Sequence, residues 1–411
     1  MDAPMGQKSF IEKLFHLQAN GTTVRREVLA GLTTFVSMAY ILFVNPQVLG
    51  DAGMNKGAVF TATALSAILG SVLMAVLANY PIAIAPGLGD NAFFTYSVVL
   101  AMGIPWQTAM AGVFISSVLF LILSLVKLRE IVIDAIPHDL KLAMAAGIGI
   151  FIAFVGFQGG GLIVGSKSTL VEMGSLTVPT TWLTIFGLVV TAFLMAKKVP
   201  GSIFIGMVLT TILGLVTKLI PLPSHIISSI PSMKPTFGVG VAHLGDISQP
   251  QLWAVVLIFL LVAFFDTAGT LIGLASQAGF MKDNKMPRIG GRTGLTSLVV
   301  GVLFALAMFF SPLLTVVTSN VTAPVLIIVG ILMAQSMKEI DWSKFEIAMP
   351  AFLTIVGMPL TYNISYGIAF GFLAYPLTML AAGRRKEINP IMYILFVVFI
   401  ILLYTINILP K

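Results

Sequence analysis

The chain has 411 residues, of which 58% are hydrophobic and only 9% are charged, and it carries a net charge of +7. Because soluble globular domains carry about 25% charged residues, this composition excludes a soluble domain and indicates a protein that crosses a lipid bilayer many times. There are no cysteines, which excludes disulfides and thiol chemistry, and nothing in the composition implies a nucleic-acid partner.

Thirteen apolar segments follow a charged N-terminal stretch, 1–27, and its first 24 residues have no compact apolar core, which predicts that there is no cleavable signal peptide. With the N-terminus placed in the cytoplasm, 18 of the 23 Lys and Arg residues fall in inner loops, as the positive-inside rule requires. We therefore expect a multi-pass protein of the plasma membrane with a cytoplasmic N-terminus. The predicted segments are 28–48, 57–78, 80–101, 106–126, 140–165, 180–196, 200–217, 252–277, 293–317, 321–337, 346–361, 363–382 and 390–409.

The third segment is unlike the others because PIAIAPGLGDNAFFTY (81–96) places two prolines and two glycines within a span. Broken backbone at membrane depth is tolerated only where it lines a cavity or is buried in protein. The freed amides and carbonyls, with the N-terminus of the half-helix that follows, predict a polar site beside Asp90, Asn91, Phe93 and Phe94. The alternative is a kinked helix or re-entrant loop with a purely structural role.

The eighth segment carries an acid, because LWAVVLIFLLVAFFDTAGTLIG (252–273) runs through fourteen apolar residues before Asp266. An ionisable side chain at this depth costs at least about 2.5 kcal/mol, so it rarely persists without a partner or a task. At about 100° per residue, Asp266 and Thr270 share one helix face with two glycines. This face predicts a ligand site. The alternative is a glycine packing face with Asp266 hydrogen-bonded to a neighbouring helix.

Asp90 and Asp266 are the only acids that the sequence places well inside apolar segments. Two acids on two different segments, one of them broken, are typical of a transporter's central site. There is no Ser/His pair and no close carboxylate pair within one segment, and the four histidines lie outside the apolar runs without metal-ligand spacing. We therefore predict no enzyme activity, no metal and no cofactor.

A weak internal repeat relates the first and eighth segments. They end in AGM (52–54) and AGF (278–280), an offset of 226 that also sets Tyr40 against Asp266. An odd number of spans separates the two copies, so they would be inverted, as in many secondary transporters. After the match the first half spends 52 residues on two segments, whereas the second half has only 13 residues before its next segment. The second repeat therefore lacks the counterpart of the broken segment.

The chain resembles the AzgA-like purine permeases, which are adenine/guanine/hypoxanthine transporters of the nucleobase–ascorbate superfamily. The resemblance covers nearly the whole chain and rests on the blocks 26–49, 82–96, 264–273, 290–313 and 348–372. It implies an all-α, polytopic, inverted-repeat fold of seven plus seven segments with short strands at broken helices. In that fold a core domain moves against a gate domain.

The resemblance also implies where the domains lie and what is missing. Relatives have a further stretch near Gly290, with two segments, a strand and a glutamate that contacts the base, whereas here PRIG runs straight into GRTG. The implied domains are the cytoplasmic N-terminal segment (1–27), the first halves of the core (28–138) and the gate (139–251), the incomplete second half of the core (252–317), and the second half of the gate with the C-terminal helix (318–411).

The function that the resemblance implies is uptake of a purine nucleobase together with a proton or Na⁺, with a homodimer as a candidate assembly. By position, Asp266 matches the family's acid and Thr270 a coupling position one turn later. Relatives often have an apolar residue in place of Asp90. The implied substrate-binding residues are Asp266, Asn91, Phe93, Phe94, Thr270 and Tyr40, and the implied coupling residues are Asp266 and Asp90.

Two alternatives differ in kind from purine transport. An anion such as sulfate or a dicarboxylate would meet like charge, because the predicted site has two buried acids and no buried cation. A non-transporting scaffold or defective remnant would follow from the missing half of the site.

In the preferred mechanism an aromatic ring stacks on the base, Asn91 and backbone groups bind its edge, and Asp266 holds ring N–H groups and the coupling proton.

Overall fold

The architecture is that of a computed structural model, which describes residues 10–126, 128–248, 252–253, 255–264 and 290–407. The helices before residue 265 are α1 (Phe10–Phe15), α2 (Val24–Met38), α3 (Ile41–Asp51), α4 (Lys56–Leu73), α5 (Leu88–Ala92), α6 (Trp106–Leu125), α7 (Leu128–Ala135), α8 (His138–Gly159), α9 (Pro179–Ala196), α10 (Ser202–Val216), α11 (Val239–Ala242) and α12 (Val255–Phe264). Those after it are α13 (Gly294–Ala307), α14 (Ser319–Ala334), α15 (Phe345–Leu360), α16 (Ile364–Ala381) and α17 (Pro390–Asn407).

Several helices continue in another helical form. The π-helical stretches Met74–Ala78 and Phe93–Ala101 extend α4 and α5, and 3₁₀ stretches Met308–Thr315 and Gln335–Glu339 extend α13 and α14. A further 3₁₀ stretch, Leu244–Ser248, follows α11.

Within the described residues, eight helical stretches are long and apolar enough to cross a membrane, and four shorter apolar helices accompany them. A helix suits this environment because it satisfies its own backbone hydrogen bonds in lipid. The third predicted segment is the exception. Residues 81–87 carry neither helix nor strand, and helical structure resumes only at Leu88, so the predicted break is confirmed.

Two groups of helices pack closely, and glycine permits the tightest crossings. In one group α8 lies against α14 and α15, and a Cβ atom on Gly330 would overlap the carbonyl oxygen of Gly149. In the other group α13 lies against α2 and α4, and a Cβ atom on Gly31 would come within 2.7 Å of the Val299 side chain. Small residues allow such close backbone approach between membrane helices. A single cluster of buried apolar residues extends through both groups.

The described strands differ in position from those that the family resemblance implies. β1 (Ile163–Ser166) and β2 (Leu170–Met173) form an antiparallel hairpin after α8, with Ile163 opposite Met173. The broken segment, 81–87, pairs with no strand among the described residues. A strand needs a partner for its hydrogen-bonding ladder, and the implied partner belongs to the stretch near Gly290 that this chain lacks.

Candidate substrate site

A cavity of about 310 Å³ lies among α3, α4, α5, α6 and α12. Its volume is at the lower end of the range of about 300–1,000 Å³ that is usual for small-molecule sites. The only charged side chain among the described lining residues is Asp90. The polar side chains of the wall are Asn45, Thr63, Ser66, Asp90, Asn91, Ser116, Ser117 and Thr236.

A larger groove, of about 560 Å³, lies between α8, the hairpin, α14 and the end of α15. Apart from Thr169, its described lining residues are apolar or glycine. A substrate site needs a few polar groups that fix the orientation of the ligand, and the smaller cavity supplies them. We therefore take the smaller cavity as the candidate site.

The half-helix α5 enters the cavity wall because proline and glycine interrupt the chain before it. The backbone of Ile84 in the broken segment is held by one side chain, Ser71 of α4. The Ile84 amide donates to Ser71 Oγ at 3.1 Å, and the Ser71 hydroxyl donates to the Ile84 carbonyl oxygen at 3.2 Å. Ser297 of α13 donates to the carbonyl oxygen of Tyr80 at 2.8 Å. Side chains of neighbouring helices thus satisfy backbone groups that a helix or a strand partner would otherwise satisfy.

Asn91 belongs to a chain of amide hydrogen bonds that crosses three helices. Its Nδ2 donates to Oδ1 of Asn45 on α3 at 2.5 Å, and Nδ2 of Asn45 donates to Oγ1 of Thr63 on α4 at 2.7 Å. Asn45 and Thr63 are buried, whereas Asn91 is half-buried on the cavity wall. The predicted site residue Asn91 is therefore part of the wall, and it is linked through Asn45 to Thr63, neither of which the sequence predicts as a site residue.

The two phenylalanines of the broken segment have different surroundings. Phe94 lies on the cavity wall beside Phe259 of α12, with 6.5 Å between the ring centroids. Phe93 is completely buried and meets Phe259 edge to face at 4.7 Å, and it is not among the residues that line the cavity. Of the two adjacent rings, Phe94 therefore lines the cavity and Phe93 packs against α12.

The structure separates the remaining predicted site residues. Asp90 is half-buried on the cavity wall next to Asn91. Tyr40 lies at the junction of α2 and α3, packs against the main apolar cluster, and is not among the cavity-lining residues. Asp266 and Thr270 lie outside the described residues. The described helix α12 contributes Phe259 and Ala263 to the wall. Ala263 lies three residues before Asp266 in the sequence.

Asn45 and Phe259 are wall residues that the sequence patterns did not predict, although Asn45 left a signal. Asn45 is an amide within the apolar run of the first segment, and a polar side chain in a membrane span calls for a partner. Phe259 gave no such signal, because one aromatic residue within an apolar run is typical of ordinary helix packing.

A third acid, Glu27, is completely buried at the start of α2, although the sequence places it at the edge of the first segment. Its carboxylate accepts hydrogen bonds from the hydroxyls of Thr22, Thr293 and Thr296 at 2.6–3.0 Å. It also accepts from the backbone amides of Arg292 and Thr293 at 2.9 and 3.2 Å. This acid joins α2 to the beginning of α13, and it lies outside the cavity wall.

Helices that cross a membrane many times, with a broken segment whose half-helix opens onto a polar cavity, define a membrane transport protein. The Permease family profile (Xan_ur_permease) matches residues 25–291 and 288–370, and the chain belongs to this family. It is therefore a transporter and not an enzyme.

Relatives match over nearly their whole length. The chain is 51% identical to the guanine/hypoxanthine permease PbuG of Bacillus subtilis, over 95% of this chain and 99% of the relative. It is 37% identical to the adenine permease AdeP of Escherichia coli, over 96% of each. The transmembrane domain of the cyanobacterial bicarbonate transporter BicA has the same fold, with a TM-score of 0.56 at 15% identity over 87% of this chain and 97% of that chain.

The comparisons also locate the missing stretch. The two parts of the family match meet at 288–291, and the alignment with PbuG runs over 434 positions although this chain has 411 residues. The relative therefore has residues with no counterpart here, and the family match is interrupted at Gly290, where the sequence predicts the gap.

Proposed function

We propose that this permease carries purine nucleobases into the cell, with hypoxanthine, guanine and adenine as candidate cargoes. The observation that carries the proposal is that the half-helix α5 and its π-helical extension present the amide of Asn91 and the ring of Phe94 to a single cavity. A purine base is flat and nearly neutral, with hydrogen-bond donors and acceptors around its edge. A site for such a ligand must supply an aromatic face for stacking and a few polar groups that lie level with the edge of the base. The names of the relatives PbuG and AdeP support this cargo.

We further propose symport with a proton, which Asp266 holds together with the base, and with Asp90 as the second coupling residue. Asp90 lines the cavity, and Asp266 follows the wall residue Ala263 by about one helical turn in the sequence. A carboxylate removed from water favours its protonated form, so it can release the proton when hydration returns. Thr270, one turn further along, would then border the same site.

The proposed topology has a cytoplasmic N-terminus in the plasma membrane, with the core (28–138 and 252–317) moving against the gate (139–251 and 318–411). Residues that this topology places at the same side of the membrane, in loops or towards the ends of segments, are hydrogen-bonded to each other. On the inner side the Asp341 amide donates to Asp139 at 2.9 Å, and on the outer side the Tyr96 hydroxyl donates to Asp51 at 2.9 Å. The inner excess of Lys and Arg supports the same orientation.

Anion transport is the weaker candidate, although the fold is shared with a bicarbonate transporter. The described cavity wall carries the carboxylate of Asp90 and no cation. An anion in this cavity would meet the like charge of Asp90. A likeness of fold says nothing about the cargo, since one fold supports many functions.

Uptake by the 411-residue chain tests the proposal directly. Purified protein in proteoliposomes should accumulate labelled hypoxanthine down an imposed proton gradient, and a protonophore should abolish accumulation where removal of Na⁺ does not. Asp266→Asn should abolish uptake, and Asp134→Asn, at an exposed position on α7, is the matched control. The proposal fails if folded, reconstituted protein accumulates sulfate or bicarbonate but no purine, or if it transports nothing.

A further inference from the structure

We propose that Asn45 and Thr63 fix the orientation of the Asn91 amide, and that this orientation determines whether the permease prefers a 6-oxopurine or a 6-aminopurine. The inference rests on the proposed function, because it concerns how the same cavity distinguishes between purines. Its physical basis is the amide relay from Asn91 through Asn45 to Thr63.

The relay ties Asn91 to two buried residues on neighbouring helices. Asn45 is 3% exposed and Thr63 is 2% exposed, and they belong to two helices that pack against each other. The Thr63 hydroxyl accepts from Nδ2 of Asn45, which turns Oδ1 of Asn45 towards Asn91. Reversing one amide alone would bring two donors or two acceptors face to face in a buried place, where an unsatisfied polar group is costly, so the Asn91 amide can reverse only together with the Asn45 amide.

The relay leaves a defined pair of groups on Asn91 for a ligand. A primary amide has two N–H donors and one carbonyl acceptor. Asn45 takes one of the two hydrogens, and no described residue donates to Oδ1 of Asn91. Asn91 therefore presents one acceptor and one donor, side by side and in a fixed order, at the cavity wall.

The edge of a purine around C6 carries a matching pair whose order depends on the base. A 6-oxopurine has an acceptor at O6 and a donor at the neighbouring ring N–H. A 6-aminopurine has a donor at the amino group and an acceptor at the neighbouring ring nitrogen. For a base stacked in one pose on Phe94, a fixed amide matches one order and opposes the other. Reversal of the Asn91 amide would reverse the preference.

This arrangement makes Asn45 a positioning residue that acts on specificity. A site that hydrogen-bonds to its substrate rejects an analogue that leaves buried groups unpaired, and this discriminates far better than apolar contact does. Free rotation of the Asn91 amide would remove this discrimination, because either base could then be accommodated. We expect apparent affinities for hypoxanthine and adenine that differ by about tenfold or more in the native protein.

The test compares hypoxanthine and adenine as competitors of labelled uptake in four variants. Asn45→Leu and Thr63→Val break the relay and should bring the ratio of the two apparent affinities close to one. Asn45→Asp keeps an acceptor for Asn91, with the Thr63 hydroxyl as donor, and should retain the ratio. Thr61→Val is the matched control, because Thr61 is buried on the same helix but donates to the Pro231 carbonyl and does not line the cavity.

Each result decides one question. A wild-type ratio near one, or an unchanged ratio in both Asn45→Leu and Thr63→Val, refutes the inference and leaves purine transport standing. Absence of uptake of either base by the folded wild-type protein refutes the proposed function itself. Should Asn45→Leu fail to fold, Thr63→Val and Asn45→Asp still give opposite expected ratios, and ligand-induced thermal shifts in detergent measure the same ratio without transport.

Discussion

Two buried polar clusters, one at the start of α2 and one on α3, show how differently a membrane protein uses hydrogen-bonding groups. Around Glu27, five donors converge on one carboxylate, which is completely buried and is not among the residues that line the pocket beside it. Around Asn91, an amide is bound on one side by Asn45 and faces a cavity on the other. The first cluster is saturated by the protein. The second has hydrogen-bonding capacity directed at a ligand.

The two clusters also show that the two halves of the chain contribute differently to the fold and to the cavity. Glu27 binds residues 292–296, so it holds the chain that follows the missing stretch against the first repeat. The described cavity wall is built almost entirely by the first repeat, with α12 as the contribution of the second. Burial of a polar group therefore does not identify a site by itself. A site needs burial together with open hydrogen-bonding capacity and space for a ligand.

Glu27→Ala should give the largest loss of stability, because it leaves several buried donors without an acceptor. We expect a loss of about 3–5 kcal/mol in the free energy of unfolding, with little folded protein recovered. Fluorescence-detected size exclusion after heating measures this loss. Glu172→Ala, on the exposed β2 strand, is the control. A melting temperature equal to that of wild type would mean that the carboxylate does not hold α2 to α13.

Phe94→Leu and Phe93→Leu should separate ligand contact from packing. Loss of a stacking face on Phe94 should raise the apparent KM for hypoxanthine by about tenfold or more, since base–aromatic stacking contributes about 1–3 kcal/mol. Phe93 is buried against Phe259, so its replacement should lower stability by about 1 kcal/mol and leave KM nearly unchanged. Equal effects of both variants on KM would place the base elsewhere.

The sequence alone predicts the break in the third segment, and it predicts that Asp90, Asn91 and Phe94 beside this break belong to the site. Proline and glycine act locally, so their effect on the backbone can be predicted without knowledge of the neighbours. The same reasoning identifies membrane-spanning segments by length and composition. The unequal spacing of the two halves also predicts a missing stretch within 280–292, which the family resemblance places near Gly290.

The rest of the site depends on contacts between distant residues. Sequence alone could not choose Phe94 over Phe93, since the orientation of a helix is set by what packs around it. Nor could it join Asn45 to Asn91, which are 46 residues apart. The hydrogen bonds between Ser71 and the backbone of Ile84 could not be predicted either, because one hydroxyl on an apolar helix usually bonds within its own helix.

Ser71→Ala should test whether this hydroxyl positions the half-helix. The change removes both hydrogen bonds to the Ile84 backbone, and we expect a loss of about 1–2 kcal/mol of stability. It should also raise KM several-fold, because the wall residues on α5 would shift. Ser37→Ala is the control, since the Ser37 hydroxyl bonds within its own helix, to the carbonyl oxygen of Thr33. A change in stability with an unchanged KM would make Ser71 a packing residue only.

The smallest effect should come from the ion pairs beyond the end of α16, where Arg384 binds Glu346 at 2.7 Å and Glu387 at 2.6 Å. Hydrogen bonds from Arg384 hold the pKa of Glu387 below its ordinary value of 4.5. A lowered folded-state pKa gives stability that is present above pH 4.5 and is lost as the pH falls through the folded-state value. Arg384→Gln should therefore slightly lower the melting temperature at pH 7 and at low salt, with the difference from wild type vanishing in strong acid. A difference that persists at high salt and low pH would mean that Arg384 stabilises the fold by packing and not by charge.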